Sequence, residues 1–412
     1  MHIFPFIMSF IITGLDIGSS QIKGVVCEKR KDGQLSVLAV VKQPSSGFRK
    51  GVLVDREEAT RVLRELVLDL QRISKKTTQN VFVNANSAYV RVRNSRGIAA
   101  VARADREIQQ DDIDRVIQAS QAVKLQPNYM VLHNITREYF VDDVGDIYDP
   151  LGMTGHRLEV STLVVEAFAP QVTLLLKTLE SVGMHVGGLI FNPLASARSV
   201  LTKSQRELGV LLIDFGFDST SFVIYEENKV SYAKTIPIGT RHITNDIAMG
   251  LKISFESAEK LKLTHGYAFA KDISRKDIIK LSEFDPTNKS EVPKRFIAEI
   301  IEVRLAEILE LVNNELKVLG RSIQLPAGAV ITGGGTKLPG MTELVKQELK
   351  FHVQVGFPDL GAFEIMNPTH KELLDDPEFS TALGLALFGD DEGVGPKDPK
   401  DWVKQFIKNL FP

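Results

Sequence analysis

The sequence predicts an α/β protein of two related lobes facing each other across a cleft, with a small α+β unit inserted into the first lobe. Three observations carry this expectation. A strand–turn–strand unit with Asp-x-Gly at its turn occurs twice, at 11–26 and 210–225. A glycine cluster, Gly333-Gly334-Gly335, follows a third apolar run. The order of elements repeats in the second half although the residues do not, and one stretch, 86–159, has a more charged texture.

Size and composition agree. A chain of 412 residues holds two or three ordinary domains, and 43% hydrophobic with 25% charged residues describes a globular chain with a real core. The net charge of -2 leaves no basic footprint for nucleic acid, which is not expected as a partner. The single cysteine, Cys27, lies in an apolar run. One thiol forms no internal disulfide, so a buried structural thiol in a reducing compartment is expected. Residues 1–12 are apolar but lack the basic region and small-residue cleavage site of a signal peptide. Asp16 interrupts them well short of the roughly 20 residues of a spanning helix. Met8 is the expected native start, with residues 1–7 an extension before it.

In the first turn, Asp16, Gly18, Ser19, Ser20 and Lys23 stand between two apolar strands. Such a turn can aim backbone N–H groups at one anionic oxygen. Gly18 permits close approach of the backbone, Lys23 adds a positive charge, and Asp16 can hold a hydrated divalent cation, since magnesium keeps several waters. Alone, the stretch fits an ordinary hairpin better than a phosphate site. Next, 31–34 is a turn, and Asp55 is an expected helix N-cap with Glu58 at the capping-box position. Ala59, Val62, Leu63, Leu66, Val67 and Leu70 form the apolar face of that helix, and 81–83 is a short buried strand. This is a mixed sheet covered by helices.

The unit at 86–159 should hold one helix, 111–123, among charged strands. Its acidic loop, 142–150, lacks calcium-loop spacing and is expected to be solvated. A strand at 158–168, a helix at 170–182, a strand near 189–191 and a helix opening at Asn192-Pro193 complete the first lobe. The second turn carries Asp214, Gly216, Phe217, Asp218, Ser219 and Thr220 between strands, and a further strand lies near 230–238. Glu259 and Lys262, at i and i+3, share one helix face, as an exposed ion pair or as ligand contacts. A long helix at 293–319 carries Ile297, Ile300, Ile301, Leu305, Ile308 and Leu311 as its apolar stripe. Arg295 and Arg304 edge it, either solvated or facing a partner.

After the last core helix, 379–388, residues 389–400 are glycine, proline and charge, and read as a linker. In the final stretch, 401–412, Trp402, Val403, Phe406, Ile407, Leu410 and Phe411 share one helical face, with Lys404, Gln405, Lys408 and Asn409 on the other. This is the pattern of an interfacial helix with lysines for anionic headgroups.

Two hairpin turns followed by a Gly-Gly-Gly turn resemble the actin superfamily, in which two loops grip the phosphates and the third cradles the adenosine. The chain more specifically resembles the FtsA family of bacterial actin-like division proteins. The likeness rests on I-T-G-L-D-I-G-S-S-Q-I-K at 12–23, Y-F-V-D-D…P-L-G-M-T-G-H-R-L-E-V at 139–160, P-L-A-S-A at 193–197, E-K-L-K-L-T-H-G at 259–266, V-I-T-G-G-G-T-K-L-P-G at 330–340, and the terminal helix.

The resemblance implies an actin-like two-lobe ATPase fold with a small inserted α+β domain in the first lobe. The first lobe would comprise 8–85 and 160–198, closed by 356–388; the insert 86–159; the second lobe 199–355, with a helical part at about 240–320. It implies ATP with magnesium. Asp16, Gly18, Ser19, Ser20 and Lys23 would form one phosphate loop, and Asp214, Gly216, Ser219 and Thr220 the other. Glu259, Lys262, Gly333, Gly334, Gly335 and Lys337 would enclose the adenosine, and Asp16 and Asp214 would face magnesium through water.

It also implies self-assembly into a filament on the cytoplasmic face of the bacterial inner membrane at the division site. The partner would be the C-terminal peptide of FtsZ, contacted by Arg295 and Arg304. Asn192, where relatives carry a residue that orients water, is a poor base that can still position a water. Together with the bulk of Phe217 and the charge of Asp218, it implies weak ATPase activity at most. Two alternatives share the loops: a type IV pilus assembly protein, expected to lack the terminal helix, and a sugar-kinase-like phosphotransferase, which needs a carboxylate base for which no motif is present.

Overall fold

The frame is two sheets of one topology. In the computed structural model, which describes residues 10–121, 126–320 and 325–391, Phe10–Ile17 pairs antiparallel with Gln21–Lys29, which pairs antiparallel with Leu35–Pro44. On its other edge Phe10–Ile17 pairs parallel with Val81–Ala85, and that strand with Val186–Phe191. The second sheet repeats this order. Val210–Phe215 pairs antiparallel with Thr220–Glu226, which pairs antiparallel with Lys229–Ile236; on the other edge come the parallel strands Ala329–Thr332 and Val353–Val355. The central strands are buried almost end to end, as strands covered on both faces must be. The duplication is therefore one of topology, carried by strand burial and turn position.

Between the sheets lie two helices, Asn192–Val200 and Ser380–Asp391. They touch backbone to backbone. A Cβ built on Gly384 would stand 1.8 Å from the Ala195 carbonyl oxygen, and one on Gly14 would stand 2.3 Å from that of Ala382. Ser199 donates to the Ser380 carbonyl at 2.6 Å across the same contact. The C-terminal segment thus returns to the first sheet, where Phe363–Glu364 adds a sixth strand beside Leu35–Pro44. The last helix runs past the expected linker start at 389. Lys29 pairs with Asp390 at 2.5 Å and Arg198 with Asp391 at 2.9 Å, and these ion pairs carry it to Asp391. The rest of the predicted linker, the terminal helix and residues 1–7 lie outside the described residues.

The insert is an antiparallel sheet in the order Val90–Ala100, Arg157–Phe168, Tyr129–Val141, Val144–Ile147. Gln110–Gln121 covers one face over a core that includes Ile108, Ile113, Val116, Tyr139, Leu158 and Val160. An insert ending at 159 is too short. Arg157–Phe168 pairs along its whole length with insert strands. It resembles a lobe strand in sequence because Leu163, Val165 and Ala167 pack into the first-lobe core.

In the second lobe, Thr240–Leu251, Phe255–His265 and Lys294–Val318 share an apolar core with the second sheet. Asp55 caps Arg56–Ile73 by accepting the N–H groups of Glu57 and Glu58. The return bond of a capping box is not made, because Glu58 is held instead by Ser46 at 3.1 Å and Arg61 at 2.8 Å.

Candidate functional site

The two turns have the same construction. Gly18 N–H donates to the Gln21 carbonyl at 3.1 Å, and Gly216 N–H donates to that of Ser219 at 3.0 Å. Asp16 lies opposite Lys23 and Asp214 opposite Ser221 in their hairpins. Superimposed in this register, Ser19 and Ser20 correspond to Phe217 and Asp218, so the hydroxyls of the second turn, Ser219 and Thr220, sit two positions further along. Thr220 is consequently withdrawn: it is buried, donates to the Ile238 carbonyl at 2.9 Å, and does not line the cleft.

The cleft between the lobes measures about 440 Å³. Asp16, Gly18, Ser19, Ser20 and Lys23 line one side, and Asp214, Gly216 and Ser219 the other, with Asn192 at the floor. Gly333, Gly334, Gly335, Lys337, Glu259 and Lys262 complete the wall. Gly333, at φ +85°, brings the third turn so close that a Cβ there would lie 2.2 Å from Asp214 Oδ1. Glu259 and Lys262 meet at 2.7 Å, and Lys262 also donates to Thr244 at 2.9 Å. Burial pulls the Lys262 ammonium below its ordinary pKa, and Glu259 opposes the change. Lys337 pairs with Asp376 at 2.5 Å.

A continuous hydrogen-bonded chain joins the two aspartates. Asn84 Nδ2 donates to Asp16 Oδ1 at 2.7 Å and to Asn192 Oδ1 at 3.1 Å, and Asn192 Nδ2 donates to Asp214 Oδ2 at 3.0 Å. Ser196 donates to the same Asp214 oxygen at 2.8 Å. Asn192 therefore serves as a bridge between the lobes through its amide, accepting from Asn84 and donating to Asp214. Asn84 was legible in principle: it is the polar residue of an apolar strand, and a buried polar group must find a partner. Ser196 lies one helical turn from Asn192, on the same face. Glu378, whose carbonyl accepts Lys23 Nζ at 2.6 Å, carries no local signal.

Burial pushes the Asp16 carboxyl above its ordinary pKa; Lys23, at 3.3 Å, opposes this and Asp214 adds to it. Burial likewise raises Asp214, against the hydrogen bond from Ser196 and the charge of Lys23. Two buried carboxylates with one nearby lysine are short of positive charge. No three His, Cys, Asp or Glu gather into a metal cluster among the described residues. The donor set thus fits a cation that keeps its waters, as magnesium does, better than one caged by protein ligands.

Asp218 does not simply add negative charge to the cleft. Its Oδ2 accepts the Lys50 N–H at 2.8 Å and Arg241 stands 3.7 Å from its Oδ1. Outside the cleft, Arg304 is engaged by Asp246 at 2.6 and 2.9 Å, and Arg295 by Glu299 at 3.1 Å. Neither is an idle cation on the long helix.

Residues 211–384 match the family model for cell division protein FtsA, and residues 87–166 match that for the SHS2 domain inserted in FtsA. The chain is 34% identical to cell division protein FtsA of Pseudomonas aeruginosa over 92% of its length and 89% of the relative's. It is 31% identical to the Bacillus subtilis protein of the same name, over 92% and 83%. Among solved structures, a PilM–PilN type IV pilus biogenesis complex matches with a TM-score of 0.66 at 18% identity, covering 92% of this chain and 98% of that one. MreB5 of Spiroplasma citri bound to ADP matches at 0.54 and 12%, covering 97% and 98%. These structures share the fold alone, an actin-like α/β architecture. With relatives this similar over most of both chains, and with the family's own insert in place, the chain belongs to the FtsA family of actin-like cell division proteins.

Proposed function

We propose that this chain binds ATP with magnesium in the inter-lobe cleft, assembles into filaments, and tethers FtsZ to the cytoplasmic face of the cell membrane at the division site. The observation that supports this best is the pair of like-built turns, with Asp16 and Asp214 joined through Asn84 and Asn192 across one cleft. On this reading the turns at 18–20 and 216–219 hold the phosphates. Lys23 neutralises them, and the two aspartates hold the hydrated ion. Gly333, Gly334, Gly335, Glu259, Lys262 and Lys337 surround the nucleoside. Magnesium supplies positive charge to the phosphates when bound. Asn192 keeps the lobes in register, and with no free base at this position hydrolysis is slow.

The first lobe, the insert and the second lobe act as the units named above, with the insert extended to 168. Family membership supports FtsZ as the partner. Arg295 and Arg304 remain the proposed contacts for its acidic peptide, reached by exchange of their present carboxylate partners. Membrane attachment rests on the terminal amphipathic stretch, Trp402 to Phe411 in the sequence. One such helix is short and only partly immersed, so a single copy binds weakly, and many copies on a filament bind well through effective concentration. No helix among the described residues is long and apolar enough to cross a membrane.

Liposome pelleting tests the tether. With anionic vesicles and ATP·Mg, most of the full chain should pellet, and a chain truncated after Lys400 should remain in the supernatant. Equal pelleting of both would remove the terminal stretch as anchor.

A further inference from the structure

The insert joins the first lobe beside the second phosphate turn, and the contact there is unusually specific. Asn86 Nδ2 donates to Ser219 Oγ at 3.1 Å, and its Oδ1 accepts from Thr235 Oγ1 at 3.4 Å. Both partners belong to the second lobe. Asn86 stands immediately before the matched insert residues, which begin at 87. Its backbone is wedged: a Cβ on Gly51 would lie 1.1 Å from the Asn86 carbonyl oxygen. The neighbouring Lys50 N–H is taken by Asp218 of the same turn. One short segment, 50–51, is thus pressed between the insert's root and the second phosphate turn.

Behind this contact is a cavity of about 50 Å³, lined by Asn86, Tyr89, Val90, Ala167 and Phe168 among others. The two strands that enter and leave the insert pass along its wall. Protein interiors are otherwise close-packed, and this volume is well below the roughly 150 Å³ of a cavity that takes benzene. Its effect is mechanical: side chains at the insert's root have space to shift.

We propose that Asn86 is a positioning residue that reads the state of the second phosphate turn and sets the orientation of the insert through this loosely packed root. A phosphate at Ser219 draws the hydroxyl proton toward itself. The same oxygen then becomes a better acceptor for Asn86, and the insert is held more firmly against the second lobe. The proposal rests on nucleotide binding in the cleft.

The test uses the full chain labelled at two exposed positions, Tyr148→Cys on the insert and Val303→Cys on the second lobe. Spin-label distances are measured without nucleotide and at saturating ATP·Mg, so that a change in affinity does not enter, with calorimetry to establish binding. In the parent, nucleotide should narrow the distance distribution by about half or displace it. In Asn86→Ala it should do neither, and in Thr235→Val, which keeps the Ser219 bond, part of the response should survive. A nucleotide-bound parent whose distribution does not change, or an Asn86→Ala chain that responds like the parent, overturns the proposal. Absence of binding heat in the parent overturns it together with the nucleotide reading, and calorimetry tells the two failures apart.

Discussion

Asp214→Asn should melt at a higher temperature than the parent in the absence of nucleotide, and should lose the further rise that ATP·Mg confers. The carboxylate is buried and burial raises its pKa, so its charge opposes folding at neutral pH. Asparagine keeps an acceptor for Ser196 and Thr381 while removing that charge. A ligand at about 100 times its Kd stabilises the native state by about 2.7 kcal/mol, and this increment should vanish in the variant.

The pH dependence has a definite sign. For Asp16 and Asp214 the folded-state pKa is raised above the ordinary 3.8. In the interval between those values the native state binds more protons than the unfolded chain. Stability is therefore lost as pH rises through the folded-state pKa, and the relief is complete below the unfolded value. The nucleotide-free parent should accordingly gain stability relative to Asp214→Asn as pH falls from neutral toward that interval. Melting curves across pH, with and without ATP·Mg, check both statements. A variant that melts below the parent and still responds to nucleotide would refute the charge argument.

Gly384→Ala should be strongly destabilising for a single added methyl. The added carbon meets the Ala195 carbonyl at 1.8 Å, so the helices Asn192–Val200 and Ser380–Asp391 must separate. Overpacking of this kind costs about 1–3 kcal/mol, occasionally more. Because the same helices carry Asn192, Ser196 and Thr381 to Asp214, the cleft should be disturbed as well. Gly250→Ala is the control. Its nearest neighbour is the flexible end of Ile300 at 3.1 Å, and a helical alanine is otherwise favoured. Thermal melts should show a drop of several degrees for Gly384→Ala and little change for Gly250→Ala. Equal melting would mean that the two helices can part without cost.

Local sequence determined a good deal of this protein. Apolar runs on either side of an Asp-x-Gly turn predict hairpins at both places, and both form. The face of Arg56–Ile73 and the i, i+3 meeting of Glu259 with Lys262 follow from helical periodicity alone, as does most of the stripe of Lys294–Val318, where Ile297, Ile301, Leu305 and Ile308 are buried while Ile300 and Leu311 are only partly so. What only the tertiary structure decided is how distant groups pair. Asn192 bridges two aspartates, Thr220 turns to Ile238, Arg304 is held by Asp246, and Glu378 reaches Lys23. The insert keeps a strand whose apolar residues looked like those of a lobe. Periodicity reports which side of an element is buried. It does not report which of many buried polar groups will satisfy it, and that pairing sets the chemistry of the cleft.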